Sequence, residues 1–258
     1  MNRVNVLSMG TMPLPSPEVF WMSNWEEWFH ATFWMVVVRG ADHTMVINTG
    51  PPADLAELNA IWKGFHPSGQ SQFSRLPDEE PLAALATLGI DAQEVTHVVL
   101  TPIVAYTVGN LELFPNAKIM LSRRGWIEDV LAPPYAPHLP RDIFVPDSTL
   151  KHLLFDARER VELVRDGDLL APGVTVWESL VHHRSSLAID IETTVGRVTV
   201  TDSAFSYRNV EKNINLGIGE SYPEAMATYD RLRRDSDVVI PLYEPEVADR
   251  HPGGRVSD

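Results

Sequence analysis

Tyr106 and Thr107 are the polar members of a short apolar loop, Pro102-Ile103-Val104-Ala105-Tyr106-Thr107. It lies between a run that reads as a buried strand, His97 to Thr101, and a helical start near Val108 to Leu113, with a second strand at Lys118 to Leu121. A strand that throws a loop into a helix is where α/β folds usually place their chemistry, because rigid elements hold the loop on both sides. The side chains of Pro102 and Val104 offer no lone pair, whereas a tyrosine hydroxyl can donate to a developing oxyanion. Elsewhere, His182 and His183 are adjacent. Consecutive strand residues face opposite sides, so one of the two is expected to look into a pocket. Ser203 follows Asp202 but lacks the elbow motif that would activate it as a nucleophile. There is no cysteine, hence no thiolate nucleophile, thiolate metal site or disulfide framework.

The elements that must hold these groups alternate between strand and helix. Asn5 to Met9, His30 to Gly40 and Thr44 to Gly50 read as strands, the latter two apolar and β-branched as in a sheet core. Ala53 to Phe65 and Pro81 to Leu88 have helical spacing, the second closing on Gly89. Arg124 to Leu131 and Ser148 to Phe155 also read as helices. Between them, residues 132 to 146 are so rich in proline that they should run extended over the surface. Arg165-Asp166-Gly167-Asp168 and Thr194-Val195-Gly196-Arg197 are turn signals between alternating apolar runs, predicting a meander or paired hairpins. Tyr222 to Arg233 is an amphipathic helix, Asp237 to Tyr243 a buried strand, and residues 245 to 258 read as a peripheral, exposed tail. This order suits two packed sheets with helices outside.

The 258 residues contain no linker that would divide them, so one domain is expected. Hydrophobic residues at 44% and charged residues at 22% are enough for a sizeable core. A net charge of −14 repels phosphate backbones and excludes nucleic acid as the expected partner. No stretch approaches the ~20 apolar residues of a membrane span, and the N-terminus has no signal-peptide pattern, so no membrane partner and a cytoplasmic location are expected. Trp21, Trp25, Trp28 and Trp34 crowd one short run. They serve either as ordinary core and surface packing or as an apolar wall beside a site.

The frame Thr96, Val98-Val99-Leu100-Thr101 and Val108-Gly109-Asn110-Leu111-Glu112-Leu113-Phe114-Pro115-Asn116-Ala117-Lys118-Ile119 resembles the metal-binding loop of the metallo-β-lactamase superfamily, in particular its N-acyl homoserine lactonase-like branch. The resemblance implies an α+β fold, an αββα sandwich of two packed mixed sheets with helices on the outer faces. In that family the loop reads HxHxDH and collects two metal ions that activate a bridging hydroxide. Here Pro102, Val104, Tyr106 and Thr107 occupy those places. Asn48, in Ile47-Asn48-Thr49-Gly50, stands where the family has an aspartate that buttresses the metal-bound histidines. The segment containing His182 aligns with a ligand histidine, and Asp202 with the bridging carboxylate. Tyr243 stands where the last histidine would be. Two of the ligand places keep their residue type.

The resemblance implies that His182 and Asp202 lie within a few ångströms of each other, as a general-base dyad whose pKa can be tuned. Tyr106 and Tyr243 would then stabilise charge on the substrate. Thr107, Trp25, Trp28, Phe205, Tyr207 and Glu244 are the expected substrate contacts. The proline-rich segment would be a lid, as this region covers the site in the lactonase-like branch. His97 reads as a strand residue, and His43, His66, His138 and His251 as loop or surface positions. The leading expectation is a metal-independent, hydrolase-like or proton-transfer enzyme without cofactor, acting on a compact cyclic or aromatic carbonyl compound. Two alternatives stand beside it: a non-catalytic binding protein on the same fold, and a mononuclear metallohydrolase in which His182 and Asp202 are joined by Tyr106, Tyr243 or Glu244. The expected partner is a small-molecule substrate, with a homodimer left open.

Overall fold

The computed structural model describes residues 1–66, 68–132 and 144–258. Among these described residues, twelve strands form two sheets. They are β1 (Arg3–Pro15), β2 (Trp28–Arg39), β3 (Thr44–Ile47), β4 (His97–Leu100), β5 (Lys118–Ser122), β6 (Val161–Val164), β7 (Leu169–Ala171), β8 (Val174–Glu178), β9 (Leu187–Thr193), β10 (Gly196–Thr201), β11 (Val238–Pro241) and β12 (Arg255–Ser257). One sheet runs β12-β1-β2-β3-β4-β5-β6 and the other β11-β10-β9-β8-β7. Both are mixed. In the first, β3 to β6 are parallel and the remainder antiparallel; in the second, β10 and β11 form the parallel pair.

The order follows from side-chain pattern. Met35 to Val38 of β2 are all fully buried, which requires cover on both faces and suits a position inside a sheet. The β9–β10 hairpin turns at Thr194-Val195, with Gly196 at φ +100, a conformation that side chains resist. Asp54 caps the helix Leu55–Phe65 by accepting from the Ala56 amide at 2.8 Å. Ser221 caps Tyr222–Asp235, whose Ala225, Thr228, Tyr229 and Leu232 are buried. No helix among the described residues is long and apolar enough to cross a membrane.

Parallel pairing brings the functional loops together. Because β3 and β4 run side by side, Asn48 and Thr101 emerge at one edge; β10 and β11 deliver Asp202 and Tyr243 in the same way. Thr101 Oγ1 joins the two sheets, accepting from the Leu187 amide at 2.7 Å and meeting Asp202 at 2.5 Å.

Three sequence expectations need correction. Residues 245–258 are not an exposed tail: Val247 and Val256 are buried and β12 pairs with β1. Two valines spaced to face the core outweigh the polar and glycine content around them. Arg165 to Asp168 is not a hairpin turn, since β6 belongs to the seven-stranded sheet and β7 to the other. The helical start at Val108 to Leu113 is only a 3₁₀ turn at Leu111–Leu113, because Asn110 spends its side chain on the Thr49 and Pro51 carbonyls. Arg124 to Leu131 and Ser148 to Phe155 are helical as expected, each a short α-turn that continues into a π-helical turn.

Candidate active site

Asp202 is fully buried and holds the centre of the site. Its Oδ1 accepts from Thr101 Oγ1 at 2.5 Å, and its Oδ2 from Ser186 Oγ at 2.5 Å and His182 Nδ1 at 3.3 Å. A carboxylate can be buried only when its lone pairs are met in this way. Asp202 engages Nδ1, which leaves Nε2 of His182 for a ligand.

The loop after β4 is held from both sides. Asn48, in the left-handed region at φ +61, accepts from the Thr101 amide at 2.8 Å and donates to the Thr101 carbonyl at 2.7 Å. The Ile103 amide donates to Ser185 Oγ at 3.1 Å. Inside the loop, Thr107 Oγ1 meets the Pro102 carbonyl at 2.6 Å and the Val104 carbonyl at 2.9 Å. Thr107 therefore ties its own loop and does not face the cavity.

His182 opens onto a cavity of about 260 Å³ whose walls are mostly apolar: Met12, Leu14, Phe33, Trp62, Val104, Phe144, Phe205 and Ile218. Tyr106, Tyr243, His183, His66 and Glu18 supply its polar atoms. Tyr243 stacks edge-on against His182 (6.1 Å), Tyr106 (6.0 Å) and Phe33 (5.4 Å) and tilts over Phe205 (4.3 Å). Burial pushes the Tyr243 phenol well above its ordinary pKa, and the neighbouring Tyr106 and Asp202 add to the shift. The Tyr243 hydroxyl is buried without a partner in hydrogen-bonding geometry, although Tyr106 lies beside it.

His182, Asp202, Tyr106, Tyr243 and Phe205 thus gather as the sequence suggests, but the other expected substrate contacts do not join them. Trp25 is 66% exposed, and the half-buried Trp28 pairs with Pro15 in β2; neither lines the cavity. Tyr207 donates its amide to Glu244 Oε2 at 2.7 Å and lies under the Arg250 guanidinium, 3.5 Å from its ring centroid. Glu244 spends its other oxygen on the Glu246 amide. Both brace the segment after β11. Of the clustered tryptophans, Trp34 is core and donates to the Glu244 carbonyl at 2.8 Å. Ser203 is buried and bonded to Ser179 Oγ at 2.6 Å. The expected lid, with His138, lies largely outside the described residues.

Sequence reasoning misplaces several histidines. His182 and His183 both line the cavity, with ring centroids 4.2 Å apart, because the segment between β8 and β9 is a turn with Leu180 at φ +49 and strand alternation does not apply. Burial, helped by His182, drives the His183 pKa well below its ordinary value, so this imidazole is neutral at physiological pH. His66 and His43 lie on loops, as expected, but both are buried. The polar residues missed are Glu18, His66 and His183. Glu18 sits just past the long β1, and only its isolation in an otherwise apolar N-terminal run could have flagged it.

No family model matches the chain, and no curated protein matches its sequence. Solved structures do. An N-acyl homoserine lactone hydrolase, solved with N-hexanoyl-L-homoserine at its catalytic metal centre, superposes with a TM-score of 0.78 at 15% identity, over 96% of this chain and 95% of that one. A quorum-quenching N-acyl homoserine lactone lactonase gives 0.75 at 13% identity over 98% of both chains. A hydrolase of the β-lactamase superfamily gives 0.70 at 15% identity over 98% of this chain and 89% of its own. The chain has the metallo-β-lactamase fold. The cavity opens beside the edge that carries Asn48, Thr101, Asp202 and Tyr243. Among the described residues, no group of three or more His, Asp or Glu side chains converges as a metal-binding set.

Proposed function

We propose that this protein is a small-molecule enzyme of hydrolase or proton-transfer type that has exchanged the dinuclear metal centre of its fold for a His182–Asp202 dyad. The observation that carries this reading is the 3.3 Å contact between His182 Nδ1 and a carboxylate already held by two hydroxyls, at the wall of an apolar cavity.

The donor set does not fit two metals. Pro102 and Val104 have no donor atoms, the Thr107 hydroxyl is turned into its own loop, and both Asp202 oxygens accept hydrogen bonds. Tyr243 is a neutral phenol at physiological pH and a poor ligand. Asn48 also suits a loop without metal. A carboxylate there could not donate to the Thr101 carbonyl as the amide does.

The chemistry follows from the remaining groups. His182 Nε2 takes a proton from water or from a carbon next to a carbonyl, and Asp202 stabilises the imidazolium that forms. The Tyr243 hydroxyl, kept protonated by burial, donates to the oxygen that gains charge. The cavity volume and aromatic walls suit a compact lactone, ester or aromatic carbonyl compound. Similarity of fold to lactonases supports the same substrate class by analogy only.

The test is elemental analysis of protein purified without chelator, alongside thermal unfolding with added zinc, manganese or iron. Sub-stoichiometric metal and no shift are expected; near-stoichiometric metal, or strong stabilisation by one ion, would overturn the reading. A binding protein without chemistry is the competing class. For it, His182→Asn should leave function intact.

A further inference from the structure

Glu18 and His66 form a second polar point in the cavity that the dyad chemistry does not use. Glu18 Oε1 lies 3.6 Å from His66 Nε2, and both side chains line the cavity with Trp62, Phe33 and Ile218. The position of Glu18 is built in. Its carbonyl accepts from the Ile218 amide at 2.9 Å, and Gly217 packs so closely on the Pro17 carbonyl that a Cβ would collide with it. His66 follows the helix that carries Trp62, and its amide donates to the Trp62 carbonyl at 2.8 Å.

The charges around this pair are one-sided. Glu18 is the sole carboxylate among the described residues that line the cavity, and none of them is lysine or arginine. Burial lowers the pKa of His66 and His183, so neither imidazole offers a standing positive charge at neutral pH. Burial also lifts Glu18 to about 7. Aromatic side chains, Trp62 and Phe33 among them, line the cavity, and the net charge of −14 favours approach of cations over anions.

We propose that Glu18, with His66 behind it, is a cation-recognition subsite that takes the ammonium group of an amine-bearing carbonyl substrate. The inference deepens the proposed function and rests on the cavity being its substrate site. An ammonium beside Glu18 would let the carboxylate ionise as half of an ion pair, which an alcohol cannot do and a ligand carboxylate would oppose.

The experiment compares three probes of one skeleton, 3-phenylpropylamine, 3-phenylpropanol and 3-phenylpropanoate, by calorimetric binding at pH 8, where the alkylamine is still protonated. The amine should bind about tenfold or more tighter than the alcohol, and the carboxylate weakest. Glu18→Gln should abolish the preference for amine over alcohol. His182→Asn should keep it. Equal binding of amine and alcohol by the native protein, or a preference that survives in Glu18→Gln, would overturn the proposal. A preference that is present while His182→Asn retains full turnover would leave the subsite standing and overturn the dyad chemistry instead.

Discussion

Asn48 grips Thr101 by both backbone groups, accepting from its amide at 2.8 Å and donating to its carbonyl at 2.7 Å. Thr101 in turn passes its hydroxyl to Asp202, so one amide side chain at the end of β3 helps to fix the carboxylate that follows β10 in the other sheet. An amide is required because the clamp needs a donor and an acceptor on one planar group. Asn48→Asp keeps the acceptor but sets a carboxylate against a buried carbonyl. It should cost roughly 2–3 kcal/mol, read from urea unfolding midpoints at pH 8. An unchanged midpoint would mean that the clamp does not hold the loop.

Tyr243→Phe separates catalysis from packing. The hydroxyl is buried and meets only the neighbouring Tyr106 among the described residues, so its removal should change stability by no more than about 0.5–1 kcal/mol in either direction. If it donates to a developing oxyanion, turnover should fall about 10²-fold with substrate binding little altered. Parallel kinetics and thermal unfolding on the one variant check both halves.

Glu18 should make stability depend on pH. In the folded chain its carboxyl ionises at about 7, against an ordinary value of 4.5. Between those values the folded state binds more protons than the unfolded one, so its contribution is fully present below pH 4.5 and is lost as pH rises through 7. Glu18→Gln should flatten that part of the profile and exceed native stability above pH 7 by something on the order of 2 kcal/mol, since the side chain is only 24% exposed. Urea unfolding at half-unit pH steps from 4 to 8.5, on the native protein and the variant, measures the difference.

The sandwich is legible in the sequence because apolar runs such as Met35 to Val38 and Val98 to Leu100 can only be buried strands, and Gly89 and Gly196 mark real turns. The pairing of His182 with Asp202 is legible through resemblance, as is the arrival of Tyr106 and Tyr243 beside His182. The cavity wall is not. Glu18, His66 and His183 are brought in by the short helix Ser16–Val19 after β1, by the end of the helix Leu55–Phe65 and by a turn, three places with no shared local pattern. The tryptophan run misleads for a related reason: burial depends on which tertiary surface arrives, and Trp25 receives none while Trp34 sits inside β2. Thr107 and Glu244 mislead because a polar side chain near a site is as often spent on the loop backbone as on a ligand.

The most direct test of the central claim is the rate at which metal-depleted protein, assayed in chelator, turns over a panel of small lactones and aryl esters, set against His182→Asn under identical conditions. Turnover without metal that falls by roughly 10²-fold or more in the variant is the predicted result. Turnover that appears only when zinc or manganese is restored, or that is undiminished in His182→Asn, would contradict the account.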